Sequence, residues 1–128
     1  MSHLTTHVLD TTHGRPASGI AVTLTDANGV VVARGTTDAD GRIGDLGPER
    51  LTPGEWTLSF ATGGYWAALD TATFHPRVDV VLTVPEDSDV PEDSDVPEDT
   101  PAPGEQPAAH LHVPLLLSPF AYSTYRGS

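Results

Sequence analysis

The sequence predicts an all-β sandwich. Apolar and polar residues alternate in several short runs, turn formers interrupt the chain at close intervals, and only one brief stretch has helical spacing. The 128 residues suit a single domain carrying one appended loop, at about residues 85–109.

The first strand is expected at Leu4-Thr5-Thr6-His7-Val8-Leu9, with His7 on the face of Thr5 and Leu9. Next, Ile20, Val22 and Leu24 alternate with Ala21, Thr23 and Thr25. Ala27-Asn28-Gly29 then supplies a turn, since Asn and Gly adopt positive φ at little cost, and Val30 to Arg34 returns as a strand. Asp38-Ala39-Asp40-Gly41 is a second turn. Trp56, Leu58 and Phe60 alternate with Thr57, Ser59 and Ala61. Gly64 to Leu69 is the one helix expected, with Tyr65, Ala68 and Leu69 at helical spacing. Val78, Val80, Leu82 and Val84 alternate with Asp79, Val81 and Thr83. The last strand is expected at His110 to Leu117, with Leu111, Val113, Leu115 and Leu117 facing the core. His110, His112, Pro114 and Leu116 take the opposite face. Pro114 has no N–H to donate, so this strand is expected at an edge or beside a partner.

The formal charge is −12, with eighteen acidic residues against six arginines and no lysine. Residues 84–109 hold nine of the acids, six of the twelve prolines and no arginine. Within them a hexapeptide repeats, beginning Val84-Pro85-Glu86-Asp87-Ser88-Asp89 and again at Val90 and Val96. Proline in every repeat and scarce apolar area predict an extended, disordered loop. Weak calcium binding is the sharper reading, although no glycine shapes a ligand loop between Val84 and Pro103. All Trp, Tyr and Phe residues lie outside this segment, so the rest of the chain can build a core.

Composition also excludes functions. Without cysteine there is no disulfide scaffold, thiolate metal site or cysteine nucleophile. No basic patch meets nucleic acid. No apolar run approaches the roughly 20 residues of a membrane helix, and no charged region precedes an apolar core as in a signal peptide. A cytoplasmic protein is expected. No Gly-x-Ser-x-Gly elbow or phosphate-cradling glycine loop occurs.

The histidines are the candidates for chemistry. His110 and His112 place two imidazoles on one strand face, and His7 lies in another strand. Three readings stand on spacing alone: a zinc site with His7 as third ligand, acid–base chemistry, or a solvated surface. His3, His13 and His75, near an end or in turns, are given no functional role. Arg42 follows a turn glycine and matters if the fold brings it near His7. The tail is unusually aromatic, with Phe120, Tyr122 and Tyr125 before Arg126-Gly127-Ser128, and is expected to pack on something or complete a site.

Several segments carry a family resemblance. They are Leu4-Thr5-Thr6-His7-Val8-Leu9-Asp10, Gly14-Arg15-Pro16-Ala17, Thr37 to Arg42, Thr62-Gly63-Gly64-Tyr65, His110 to Pro119, and Tyr122-Ser123-Thr124-Tyr125-Arg126-Gly127-Ser128. With these the chain resembles the 5-hydroxyisourate hydrolases, transthyretin-like enzymes of urate breakdown. The terminal Tyr-Arg-Gly-Ser behind His-Val-Pro-Leu-Leu-Leu-Ser is the most specific piece. The resemblance implies a transthyretin-like sandwich of two four-stranded sheets with one short helix. It implies a homotetramer with active sites in the channel between dimers, where transthyretin carries thyroid hormone. The implied reaction opens the lactam of 5-hydroxyisourate with water, giving 2-oxo-4-hydroxy-4-carboxy-5-ureidoimidazoline, with no metal and no cofactor. His7, Arg42, His112 and Ser128 are implied as catalytic. His7, Arg42, Tyr125, Arg126, Gly127 and Ser128 are implied to bind substrate. Two departures stand out: Leu111 where an aromatic residue is common, and the acidic insertion before His110. The alternatives are a non-catalytic transthyretin-type binding module and a structural sandwich module of surface proteins.

Overall fold

A computed structural model of the chain describes residues 3–86 and 110–127. The acidic repeat from residue 87 onward, and Ser128, lie outside the described residues.

Nine strands and one helix follow in order: β1 (Leu4–Asp10), β2 (Arg15–Pro16), β3 (Ala21–Thr25), β4 (Val31–Thr36), β5 (Arg42–Ile43), β6 (Gly54–Phe60), α1 (Thr62–Ala68), β7 (Val78–Val84), β8 (Leu111–Ser118) and β9 (Ala121–Thr124). One sheet is antiparallel throughout, in the order β4-β3-β6-β7. The other runs β9-β8-β1, with β1 and β8 parallel. Both β2 and β5 pair with the remaining edge of β1, β2 beside Leu9 and Asp10, β5 beside Thr6 and His7. They occupy different levels of that edge, so the sheet is four strands wide where β2 and β9 both pair. The outcome is the all-β, transthyretin-like pair of layers the sequence implied.

The alternating strands bury one face each. In β1, Leu4, Thr6, Val8 and Asp10 are buried while Thr5, His7 and Leu9 are half-buried. Leu111, Val113, Leu115 and Leu117 of β8 face Val22, Leu24, Leu58 and Phe60 of the opposite sheet in one core. Each such side chain contributes roughly 1.5–3 kcal/mol on burial. The helix begins two residues earlier than expected and ends one earlier. Its buried anchors are Thr62 and Trp66, whereas Ala68 is exposed. Trp66, 1% exposed, holds a helix that has no side-chain N-cap. Asp70, at φ 52°, turns the chain away after it.

β8 overturns one expectation. It is a central strand, not an edge, with β1 on one side and β9 on the other. Its carbonyls alternate sides: Val113 accepts from Thr6 Oγ1 of β1, and Pro114 accepts from Thr124 Oγ1 of β9. The missing N–H of Pro114 therefore faces β9. There the ladder stops at Leu115↔Thr124 and resumes in the same register at the His112↔Gly127 bridge. Proline is tolerated because the tail skips the one rung it cannot make.

Candidate active site

The outward face of the β1–β8 pair carries the polar residues. Thr5 stands opposite His112 and His7 opposite Pro114. Arg42 is placed beside His7 by the turn before it. Asp38 Oδ1 accepts from the N–H groups of Asp40 (2.8 Å) and Arg42 (3.0 Å). Gly41 then passes flush against β1 at φ 73°, its carbonyl accepting from Val8 N–H at 2.7 Å. A Cβ at Gly41 would collide with the Val8 carbonyl oxygen, so only glycine lets the chain through. β5 then pairs Arg42 with His7. Arg42 is exposed, and its guanidinium has no ion-pair partner among the described residues. The backbone N–H of Arg42, foremost, holds the Asp38 carboxyl below its ordinary pKa.

His112 is half-buried and gripped on two sides. Its Nδ1 lies 2.8 Å from Thr5 Oγ1, and the same hydroxyl lies 2.8 Å from His110 Nε2. Gly127 N–H donates to the His112 carbonyl at 2.8 Å, which lays the tail along the ring. A Cβ at Gly127 would stand 2.6 Å from His112 Cδ2, so this contact requires glycine. Nε2 has no hydrogen-bond partner among the described residues. Burial first, then the Coulombic influence of Arg42, His110 and His7, pushes the His112 pKa below its ordinary value. The ring is therefore neutral at neutral pH and able to accept a proton.

Two clefts meet at His112. One, of about 350 Å³, is lined by Thr5, Thr6, Arg42, Ile43, Gly44, His110 and His112. The other, of about 290 Å³, opens between β7 and the tail and includes Tyr125 and Arg126. The structure thus gathers His7, Arg42 and His112 on one face, while Tyr125 and Arg126 line the second cleft with His112 as the shared wall. Ser128 lies outside the described residues. The tail binds by its backbone, through β9 and the Gly127 bridge, while Phe120 and Tyr125 stay 67% and 59% exposed. No group of three or more His, Asp or Glu that could hold a metal ion forms among the described residues. No helix among them is long and apolar enough to cross a membrane.

Sequence reasoning missed Thr5, whose signal was its position on the face of His7, and treated His110 only as half of a pair. His3 is more than the bystander its place near the chain end suggested. That ring is buried, accepts the Leu51 N–H at Nδ1 (2.9 Å) and belongs to the scaffold. His13 pairs with buried Asp10, and His75 packs edge-on against Tyr122.

The sequence matches the family described as HIUase/Transthyretin family over residues 4–97 and 104–127. It is 36% identical over 133 residues to a Mus musculus protein named 5-hydroxyisourate hydrolase, covering 99% of this chain and 96% of that protein. Among solved structures it resembles Klebsiella pneumoniae 5-hydroxyisourate hydrolase, with TM-score 0.75, 30% identity and 98% of each chain covered. It also resembles transthyretin from Sparus aurata, with TM-score 0.75, 28% identity, and 99% and 97% of the two chains covered.

Proposed function

The chain belongs to the HIUase/Transthyretin family, and on that premise we propose that it hydrolyses 5-hydroxyisourate in urate degradation. The backbone alone does not separate enzyme from hormone carrier, because the hydrolase and the transthyretin superimpose on it equally well. The observation that carries the enzymatic reading is His112: a neutral imidazole anchored at Nδ1, open at Nε2, beside an unpaired guanidinium. A carrier channel has no use for such a group.

In this reading His112 Nε2 takes the proton of a water attacking the lactam carbonyl, work that contributes typically 10²–10⁴-fold. Arg42 holds the anionic ring and stabilises the oxyanion through planar, multi-donor contacts. His7, next to Arg42, orients the substrate. His112 returns its proton to the ring nitrogen as the C–N bond breaks. Tyr125, Arg126, Gly127 and Ser128 complete the site from the tail, in a homotetramer that brings outward faces together. A cytoplasmic location and a solubilising role for the acidic segment belong to the same proposal.

The test is spectroscopic. 5-Hydroxyisourate generated freshly by urate oxidase should lose its absorbance faster when the protein is added. Decay no faster than the spontaneous rate overturns the reading. Sedimentation reads the tetramer, and deleting Pro85 to Pro107 should leave kcat intact if that segment only solubilises.

A further inference from the structure

Thr5 touches two imidazoles with one hydroxyl. Its Oγ1 lies 2.8 Å from His112 Nδ1 and 2.8 Å from His110 Nε2, across a ring-to-ring distance of 6.3 Å. A hydroxyl carries one proton, so it donates to at most one of these nitrogens. The other contact exists only if that ring donates its own N–H to Oγ1. The two histidines therefore cannot choose their tautomers independently.

The choice decides whether His112 can act. If Thr5 donates to His112 Nδ1, the ring's hydrogen sits on Nε2, and no lone pair is left there to accept a proton. If His112 Nδ1–H donates to Thr5, Nε2 is bare. An unconstrained imidazole favours the first arrangement, with its hydrogen on Nε2. Thr5 can release His112 from that arrangement because His110 Nε2, at 2.8 Å, offers its hydroxyl proton a second acceptor.

We propose that Thr5 and His110 are positioning residues that fix the tautomer of His112, with the chain of donors running from His112 Nδ1–H to Thr5 Oγ1–H to His110 Nε2. This rests on the hydrolase reading for its consequence, though the hydrogen-bond chain stands without it. His110 keeps its remaining hydrogen on Nδ1 and is exposed, so its outer edge stays hydrated. The device does in neutral groups what a carboxylate does behind a catalytic histidine elsewhere: it orients the ring and dictates which nitrogen is free. A neutral partner suits this site, because among the described residues the groups acting on His112 are Arg42 from β5, His7 from β1 and His110 itself, with Tyr125 and Arg126 of the tail lining the adjoining cleft, and none is a carboxylate. His112 then stays a weak base that is unprotonated at working pH, rather than being drawn into a permanent ion pair.

The measurement is made on the intact, histidine-¹⁵N-labelled protein without substrate, at a pH where the rings are neutral. Two-bond N–H correlations read which nitrogen of each ring carries hydrogen, with His112 assigned by loss of its signals in His112→Gln. Wild-type protein should show His112 protonated at Nδ1 and bare at Nε2, and Thr5→Ser should preserve this. Thr5→Val and His110→Phe should each move the hydrogen toward Nε2. In kinetics, Thr5→Val should lower kcat tenfold or more with KM little changed, and Thr5→Ser should restore it. Wild-type His112 carrying its hydrogen at Nε2, or a Thr5→Val tautomer identical to wild type, overturns the proposal. Inactivity of every variant together with the wild type, while the tautomer pattern holds, counts against the hydrolase reading and leaves the hydrogen-bond chain standing.

Discussion

The two faces of the β1–β8 pair use similar residues to opposite ends. Inward, even the polar groups are fully occupied. Thr6 donates to the Val113 carbonyl at 2.6 Å. Asp10, 1% exposed, accepts from the N–H groups of Thr12 and His13, from His13 Nδ1 and from the Tyr65 hydroxyl. Outward, His112 leaves Nε2 without a hydrogen bond, and Arg42 makes no close ion pair among the described residues. A buried polar group with every bond made is scaffold, because its desolvation is compensated. A half-buried one with an atom held open toward a cleft is free to do chemistry.

That contrast is broken most forcefully at His112. His112→Ala should lower kcat by about 10²–10⁴-fold while the melting temperature changes little. A collapse of the fold instead would mean that the outward face is structural too. Leu115→Ala, on the inward face of the same strand, should do the reverse, costing about 2–5 kcal/mol in denaturant unfolding. Its folded fraction should keep near-normal turnover. Gly127→Ala probes the seam between the faces. Its Cβ must displace the His112 ring, so kcat should fall by about tenfold or more at nearly unchanged stability.

The smallest effect belongs to Tyr65→Phe, at about 1–2 kcal/mol, and its sign with pH is fixed. Burial acts to raise the Asp10 pKa, but the hydrogen bonds from Tyr65 and His13 outweigh it and hold the carboxyl below its ordinary value. A depressed carboxyl pKa stabilises the fold above the unfolded-state pKa, and that contribution fades as pH falls through the folded value. The difference between wild type and Tyr65→Phe should therefore be full at neutral pH and shrink in acid. A constant difference would place the Tyr65 contribution in packing instead.

What the sequence revealed follows from range. Period-two alternation exposed the faces of β3, β6, β7 and β8, and from them which residues form the core. It put His110 and His112 on one outward side. Two-residue strands such as β2 and β5 are too short to have a period, so the neighbour of Arg42 stayed open. The helix was found but its anchor was not. Trp66 is buried because of where α1 docks, and spacing within six residues does not encode that. Thr5 and His3 escaped for the same reason. Their partners, His112 and Leu51, are 107 and 48 residues away. The edge placement of β8 failed because the tail's return, with its skipped rung at Pro114, is likewise invisible to local pattern.

The parallel pairing of β1 with β8 also governs how the protein is made. β1 leaves the ribosome well before β8, which follows after more than a hundred residues of synthesis. Until then its outer edge has only the two-residue strands β2 and β5 to pair with, and the side that β8 will cover is bare. Contacts of such sequence separation are slow to form, since loop closure must precede any reward. His112 and Thr5 meet only as that last pairing zips shut. Assembling the outward face that carries His112 and covering the open edge of β1 therefore become one event.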